Sequence, residues 1–182
     1  MADSQPRIVE SYRDYKAPFD AARVARSLLQ AVPEEYLVGL DCVVLQNEGG
    51  LSRRDRMGKV RSRKRKVDKS RVCGFYHHAW QGRPAWIEIR VDKTLGNVSP
   101  KASLWIPFFR EIFLGNVLYH EIGHYIDASI RPEYREKEDV ADDWKGKLMT
   151  NFLRRKYWYA VWPLVLVGKF RKWRRARKLV RG

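Results

Sequence analysis

Cysteine is scarce. The chain of 182 residues holds two, Cys42 and Cys73, each in an apolar stretch and neither in a CxxC pair. A disulfide framework is not expected, and both read as buried free thiols of a reducing compartment. Histidine is nearly as rare: there are four, and none follows His124. The twelve uncharged residues 157–168 fall short of the ~20 that span a bilayer, and Pro163 interrupts them. The N-terminus, MADSQPRIVESYRDYK, has early acidic residues and no apolar core, which argues against secretion or organelle import and for a cytoplasmic location. No internal repeat is present.

Acidic residues are also few, 21 against 37 Lys and Arg, giving a formal charge of +16 and a pI near 10.1. The excess lies in two runs. Residues 53–71 carry eleven cations against Asp55 and Asp68, and residues 169–182 carry eight against no acid. The rest of the chain, with 18 basic and 19 acidic residues, is close to neutral. Basicity is thus appended to an ordinary core, and the two runs offer contact with nucleic acid or an anionic membrane surface. The first run has no aromatic residue to stack on bases, so it signals phosphate or lipid attraction without sequence recognition. Its self-repulsion and lack of apolar periodicity read as a mobile loop between strands. Residues 157–168, rich in Trp and Tyr and bordered by cations, have the composition of an interfacial membrane anchor, and equally of a segment packed on the core.

After a polar arm over residues 1–18, residues 19–31 read as a helix, with Val24, Leu28 and Ala31 at helical spacing and Pro33 beyond the end. Residues 36–46 form a β-branched run closed by Asn47, Glu48, Gly49 and Gly50. Residues 72–80 and 85–92 flank a turn at Gln81–Pro84, and Ile87, Ile89 and Val91 alternate with Glu88 and Arg90, so a hairpin is expected. Residues 107–129 carry apolar side chains on nearly every face, which calls for a helix through the middle of the domain. Arg131 and Pro132 break it. Residues 133 to about 156 form the next helix, with Val140, Trp144, Leu148 and Phe152 spaced by four.

The central helix holds His120, Glu121, Ile122, Gly123 and His124. Residues four apart project from one helix face, so both imidazoles can reach one tetrahedral metal ion, and Glu121 falls beside its open position. There a carboxylate can accept a proton from water and pass it to a leaving amine. Gly123 permits close approach of a neighbouring element. Two core histidines with no metal remain the plain alternative.

Catalytic zinc takes three protein ligands, and no later histidine exists, so the third should be a carboxylate. On the next helix Glu138 and Asp142 share a face, with the small Ala141 placed where that helix could press on the metal helix. Glu138 is the favoured ligand, and Asp142 its companion, bonding a liganding histidine to set its tautomer. Asp139 and Asp143 form a rival pair, and a solvated acidic face is the plain alternative for all four. Asp127, one turn beyond His124, suits a hydrogen bond or salt bridge better than ligation.

In these residues the chain resembles the gluzincins, zinc peptidases with HExxH on one helix and a glutamate ligand in an ExxxD pattern on the next. The similarity covers about residues 85–149. It is nearest in form to the minigluzincins and the ImmA/IrrE-type peptidases, whose Glu-x-x-Ala-Asp-x-aromatic pattern ending in Leu-Met is matched by Glu138, Ala141, Asp142, Trp144, Leu148 and Met149. The resemblance implies that the strand Ile87 to Val91 is an edge strand on which a substrate backbone pairs. It also implies a downstream Tyr or His that steadies the oxyanion. With no histidine available, Tyr134 and Tyr157 are the candidates.

The expectation is one α+β, zincin-like domain over residues 19–156: a small twisted sheet on a buried HExxH helix and a following glutamate helix, with 53–71 inserted and 157–182 as an aromatic and basic C-terminal segment. It would bind one Zn2+ per chain and hydrolyse peptide or protein substrates. The alternative is a catalytically weak, zinc-stabilised module that binds nucleic acid or anionic membrane through the basic segments.

Overall fold

The computed structural model describes residues 5–50, 72–96, 98–130 and 137–159, and the backbone of 59–62 and 65–68. Among them the chain is α+β, with four helices and a four-stranded mixed sheet.

Strand β1 (Arg7–Ser11) pairs parallel to β2 (Leu40–Gln46), which pairs parallel to β6 (Ala85–Arg90). Strand β5 (Gly74–His77) runs antiparallel to β6 and, among the described residues, has that one hydrogen-bonded neighbour. The expected hairpin forms. Its tip closes with Gln81 and Gly82 at φ of 49° and 78°, between Trp80 and Arg83, which exchange backbone hydrogen bonds of 2.9 and 3.0 Å. Two positive φ values in a row give the turn whose twist matches that of the strands.

Three expectations are corrected. The polar arm contains β1: an outer strand keeps most side chains in solvent, so Arg7 and Glu10 are compatible with pairing although they hide the alternation. The strand Ile87 to Val91 is not at the edge, because β6 is paired on both sides, and Val91 starts a helix, α2 (Val91–Gly96). Glu88 and Arg90 of this strand are both buried, Arg90 Nε lying 3.1 Å from Glu88 Oε1 and His77 Nε2 3.2 Å from Glu88 Oε2. Mutual pairing makes that burial tolerable. The basic run is not wholly a loop: β3 (Lys59–Ser62) and β4 (Arg65–Asp68) pair antiparallel, since backbone hydrogen bonds need no apolar alternation.

One sheet face presents Val43, Leu45, Ile87 and Ile89, all fully buried in the core beneath the helices. Helix α1 (Ala21–Leu29) is capped by Asp20, whose carboxylate accepts from Arg23 N at 2.7 Å, and buries Ala21, Ala25, Leu28 and Leu29. Helix α3 (Pro107–Ile130) opens on proline, whose missing N–H costs nothing in the first turn. It spans ~36 Å at 1.5 Å per residue. Residues 121 to 127 are buried without a break, and between Glu111 and Asp127 the helix carries one carboxylate, Glu121.

Helix α4 (Glu138–Lys156) lies antiparallel on α3. Two glycines set their separation. A methyl group at Gly123 would stand 2.7 Å from the carbonyl oxygen of Ala141, and one at Gly115 would stand 3.0 Å from Met149 Cε. Each pair is eight residues apart on its own helix, so the two contacts fall on one seam. At its far end buried Glu111 accepts hydrogen bonds from Lys156 Nζ and, at 2.6 Å, from Tyr157 Oη. The start of α4 is Glu138, later than sequence spacing suggested, and residues 131–136, including Tyr134, lie outside the described residues, as do 160–182. Among the described residues no helix is long and apolar enough to cross a membrane.

Candidate metal centre

Two tyrosines fix the rotation of α3 about its axis. Tyr119, fully buried, donates its hydroxyl to Leu28 O of α1 at 3.0 Å, and Tyr125 donates to Val38 O ahead of β2. They flank the segment His120 to His124, so the histidines are turned towards α4. The imidazoles meet there, with His120 Nε2 3.2 Å from His124 Nε2.

The Gly123–Ala141 contact brings the first turn of α4 over these nitrogens. Glu138 Oε2 lies 3.5 Å from His120 Nε2, and donor atoms of His120, His124 and Glu138 all fall within 4.8 Å of one another. Ligands at about 2.0–2.1 Å from a tetrahedral zinc stand ~3.3 Å apart, so the two distances at His120 Nε2 match such an arrangement. The rival carboxylates Asp139 and Asp143 are exposed and are not part of the group. Asp127 is buried one turn beyond His124, also outside it.

The other nitrogen of His120 faces Asp142, Nδ1 to Oδ1 at 3.1 Å. Burial and the neighbouring His124 hold His120 below its ordinary pKa of 6.5, and in the neutral ring a proton on Nδ1 would point to the Asp142 carboxylate. Nε2 then carries a lone pair aimed at His124 and Glu138, the tautomer a metal ligand needs. Lys145 donates to the same Asp142 oxygen at 2.7 Å and, as the main cause, keeps that carboxyl below its usual range.

Glu121 is buried on the side of α3 that faces β5. Gly74 of that strand passes over it so closely that a methyl group would stand 2.8 Å from Glu121 Oε1 and 2.7 Å from Val117 Cγ1. Both Gly74 and Lys145 escape a motif search. Lys145 sits three residues after Asp142 and was open to a helix-spacing argument, whereas Gly74 becomes visible only when the edge strand is laid on the helix.

The remaining candidates lie elsewhere. His77 stacks on Trp86, ring centroids 3.8 Å apart, and bonds Glu88, so it serves the sheet. Tyr157 does not steady an oxyanion at this site: its hydroxyl is held by Glu111, ten residues before Glu121 and so ~15 Å away along α3. No known protein family, curated protein or solved structure matches the chain.

Proposed function

We propose that the chain is a zinc-dependent metallopeptidase of gluzincin type with a zincin-like fold, in which His120, His124 and Glu138 hold the metal and Glu121 is the general base. The observation that carries this reading is the convergence at His120: its Nε2 meets a second imidazole nitrogen and a carboxylate oxygen while Asp142 occupies its Nδ1. Two imidazoles and one carboxylate also match zinc in ligand type, leaving a fourth position for water or substrate.

Bound zinc would supply a water of lowered pKa and a Lewis acid for the scissile carbonyl. Glu121 takes a proton from the attacking water at its carboxylate and returns it to the leaving nitrogen. Its burial against Gly74 restricts it to few orientations and shields it from bulk water. Asp142 holds the tautomer of His120, and Lys145 holds Asp142. Strand β5, antiparallel and paired on one side, takes the role of substrate-pairing edge that the resemblance placed on β6.

The experiment is Glu121→Gln against the wild type on a peptide library. The variant should retain stoichiometric zinc and lose cleavage. A wild type that binds zinc and cleaves no peptide would leave the zinc-stabilised binding module as the better reading.

A further inference from the structure

At the end of the molecule away from the metal centre, the start of α3 and the end of α4 build an aromatic surface. Tyr157 packs on Phe108 with ring centroids 5.1 Å apart, Phe108 on Phe109 at 5.4 Å, and Tyr159 on Tyr157 at 6.2 Å. The contacts make one continuous patch, and its outer members stand in solvent: Trp158 is 63% exposed, Tyr159 60% and Phe109 36%. Just before α3, Trp105 and Ile106 are exposed at 81% and 49%, and Arg110 bridges them to the patch by donating to Trp105 O at 2.8 Å. Such a concentration of large apolar side chains at one end of a small domain marks a contact surface.

The patch is anchored from beneath. Glu111 accepts from both Lys156 and Tyr157, which locks the end of α4 on the first turns of α3 and presents Trp158 and Tyr159 outward. Cations outnumber acids around it. Arg110, Arg154, Arg155 and Lys156 lie on its two helices and Lys101 lies near Trp105, against Asp20, Asp92 and Glu111, the last of which is paired with Lys156.

We propose that this end of the molecule docks on an anionic lipid surface, with Trp105, Ile106, Phe109, Trp158 and Tyr159 entering the headgroup region and the surrounding Lys and Arg contacting lipid phosphate. Tryptophan and tyrosine favour that interface because the ring is apolar and its N–H or O–H stays wet. The exposed aliphatic side chain of Ile106 beside these rings suits acyl chains and adds nothing to contact with nucleic acid, which would use rings and cations alone. Because α3 rises about 1.5 Å per residue, His120 lies ~16 Å along the helix from Phe109. The surface stands independently of the metal reading and is tested without it.

The test is sedimentation of the full chain with phosphatidylcholine vesicles, with and without roughly one third phosphatidylserine, at ~0.1 M salt. Wild type should bind the anionic vesicles and bind the neutral ones at least about tenfold more weakly. The triple variant Trp105→Ser, Trp158→Ser, Tyr159→Ser changes exposed side chains only, so it should keep the wild-type circular dichroism and melting temperature while losing at least about tenfold in vesicle partitioning. Wild-type binding equal to that of the triple variant would reduce the interaction to charge and overturn the proposal. So would failure of wild type to bind anionic vesicles, or tighter binding to duplex DNA that the same substitutions abolish.

Discussion

Gly123 and Ala141 meet backbone to backbone: a methyl group on Gly123 would stand 2.7 Å from the Ala141 carbonyl oxygen and 2.9 Å from its Cα. This contact governs where Glu138 and Asp142 fall, because Ala141 lies between them on one rigid helix. Gly123→Ala must part α3 and α4, and should destabilise the fold by roughly 1–3 kcal/mol. It should also weaken zinc binding, since Glu138 moves with the helix. Gly146, on the same helix, has open space where its methyl group would go, so Gly146→Ala should raise stability by about 0.5–1 kcal/mol and leave metal affinity unchanged. Urea denaturation and zinc titration of the two variants measure both effects.

Gly74 is expected to matter for catalysis and not for metal. Gly74→Ala places a methyl group against Glu121 Oε1 and Val117, and neither can move far in a buried site. Zinc content should stay at the wild-type level while kcat/KM for peptide cleavage falls, by roughly 10²-fold if the carboxylate shifts by about 1 Å. Loss of zinc in this variant would place Gly74 in the metal shell's support.

Asp142 acts through His120. Asp142→Ala frees Nδ1 of the ring from its partner at 3.1 Å and should reduce zinc affinity by roughly 10–100-fold without abolishing binding. A zinc titration in competition with a chelator reads the change. Lys145→Met should shift affinity less, because it touches Asp142 and no ligand directly.

The metal-free protein should lose stability on mild acidification. His120 has its folded-state pKa below 6.5, so below that pH the unfolded chain binds a proton that the folded chain resists. Stability is retained above pH 6.5 and falls as pH drops from there towards the lowered folded value. Asp142, also lowered, adds a loss in the same direction, but only at pH below its ordinary 3.8. Melting temperatures of the metal-free chain at pH 7.5 and 5.5 should therefore differ, and His120→Asn should shrink the difference.

The helices were legible because their signals are local. The apolar side chains on nearly every face of residues 107–129 announce a buried α3, and Gly123 and Ala141, small residues at facing positions, announce where α4 presses on it. The tip at Gln81 and Gly82 was legible for the same reason. What was hidden depended on partners distant in sequence. Strand β1 keeps polar side chains because its outer side faces water, so no alternation marks it. Strand β6 looked half exposed because Glu88 and Arg90 are charged, and only their pairing with each other and with His77 lets an interior strand carry them. The role of Gly74 requires β5 to be laid against Glu121, forty-seven residues further on.

Zinc content of the purified wild type, Glu138→Ala and Asp139→Ala tests the account most directly. About one zinc per chain should be found in the wild type and in Asp139→Ala, with loss of bound zinc in Glu138→Ala, as expected when a third protein ligand is removed. A wild type that binds no zinc, or a Glu138→Ala chain that holds as much as wild type, would contradict the three-ligand centre at His120, His124 and Glu138.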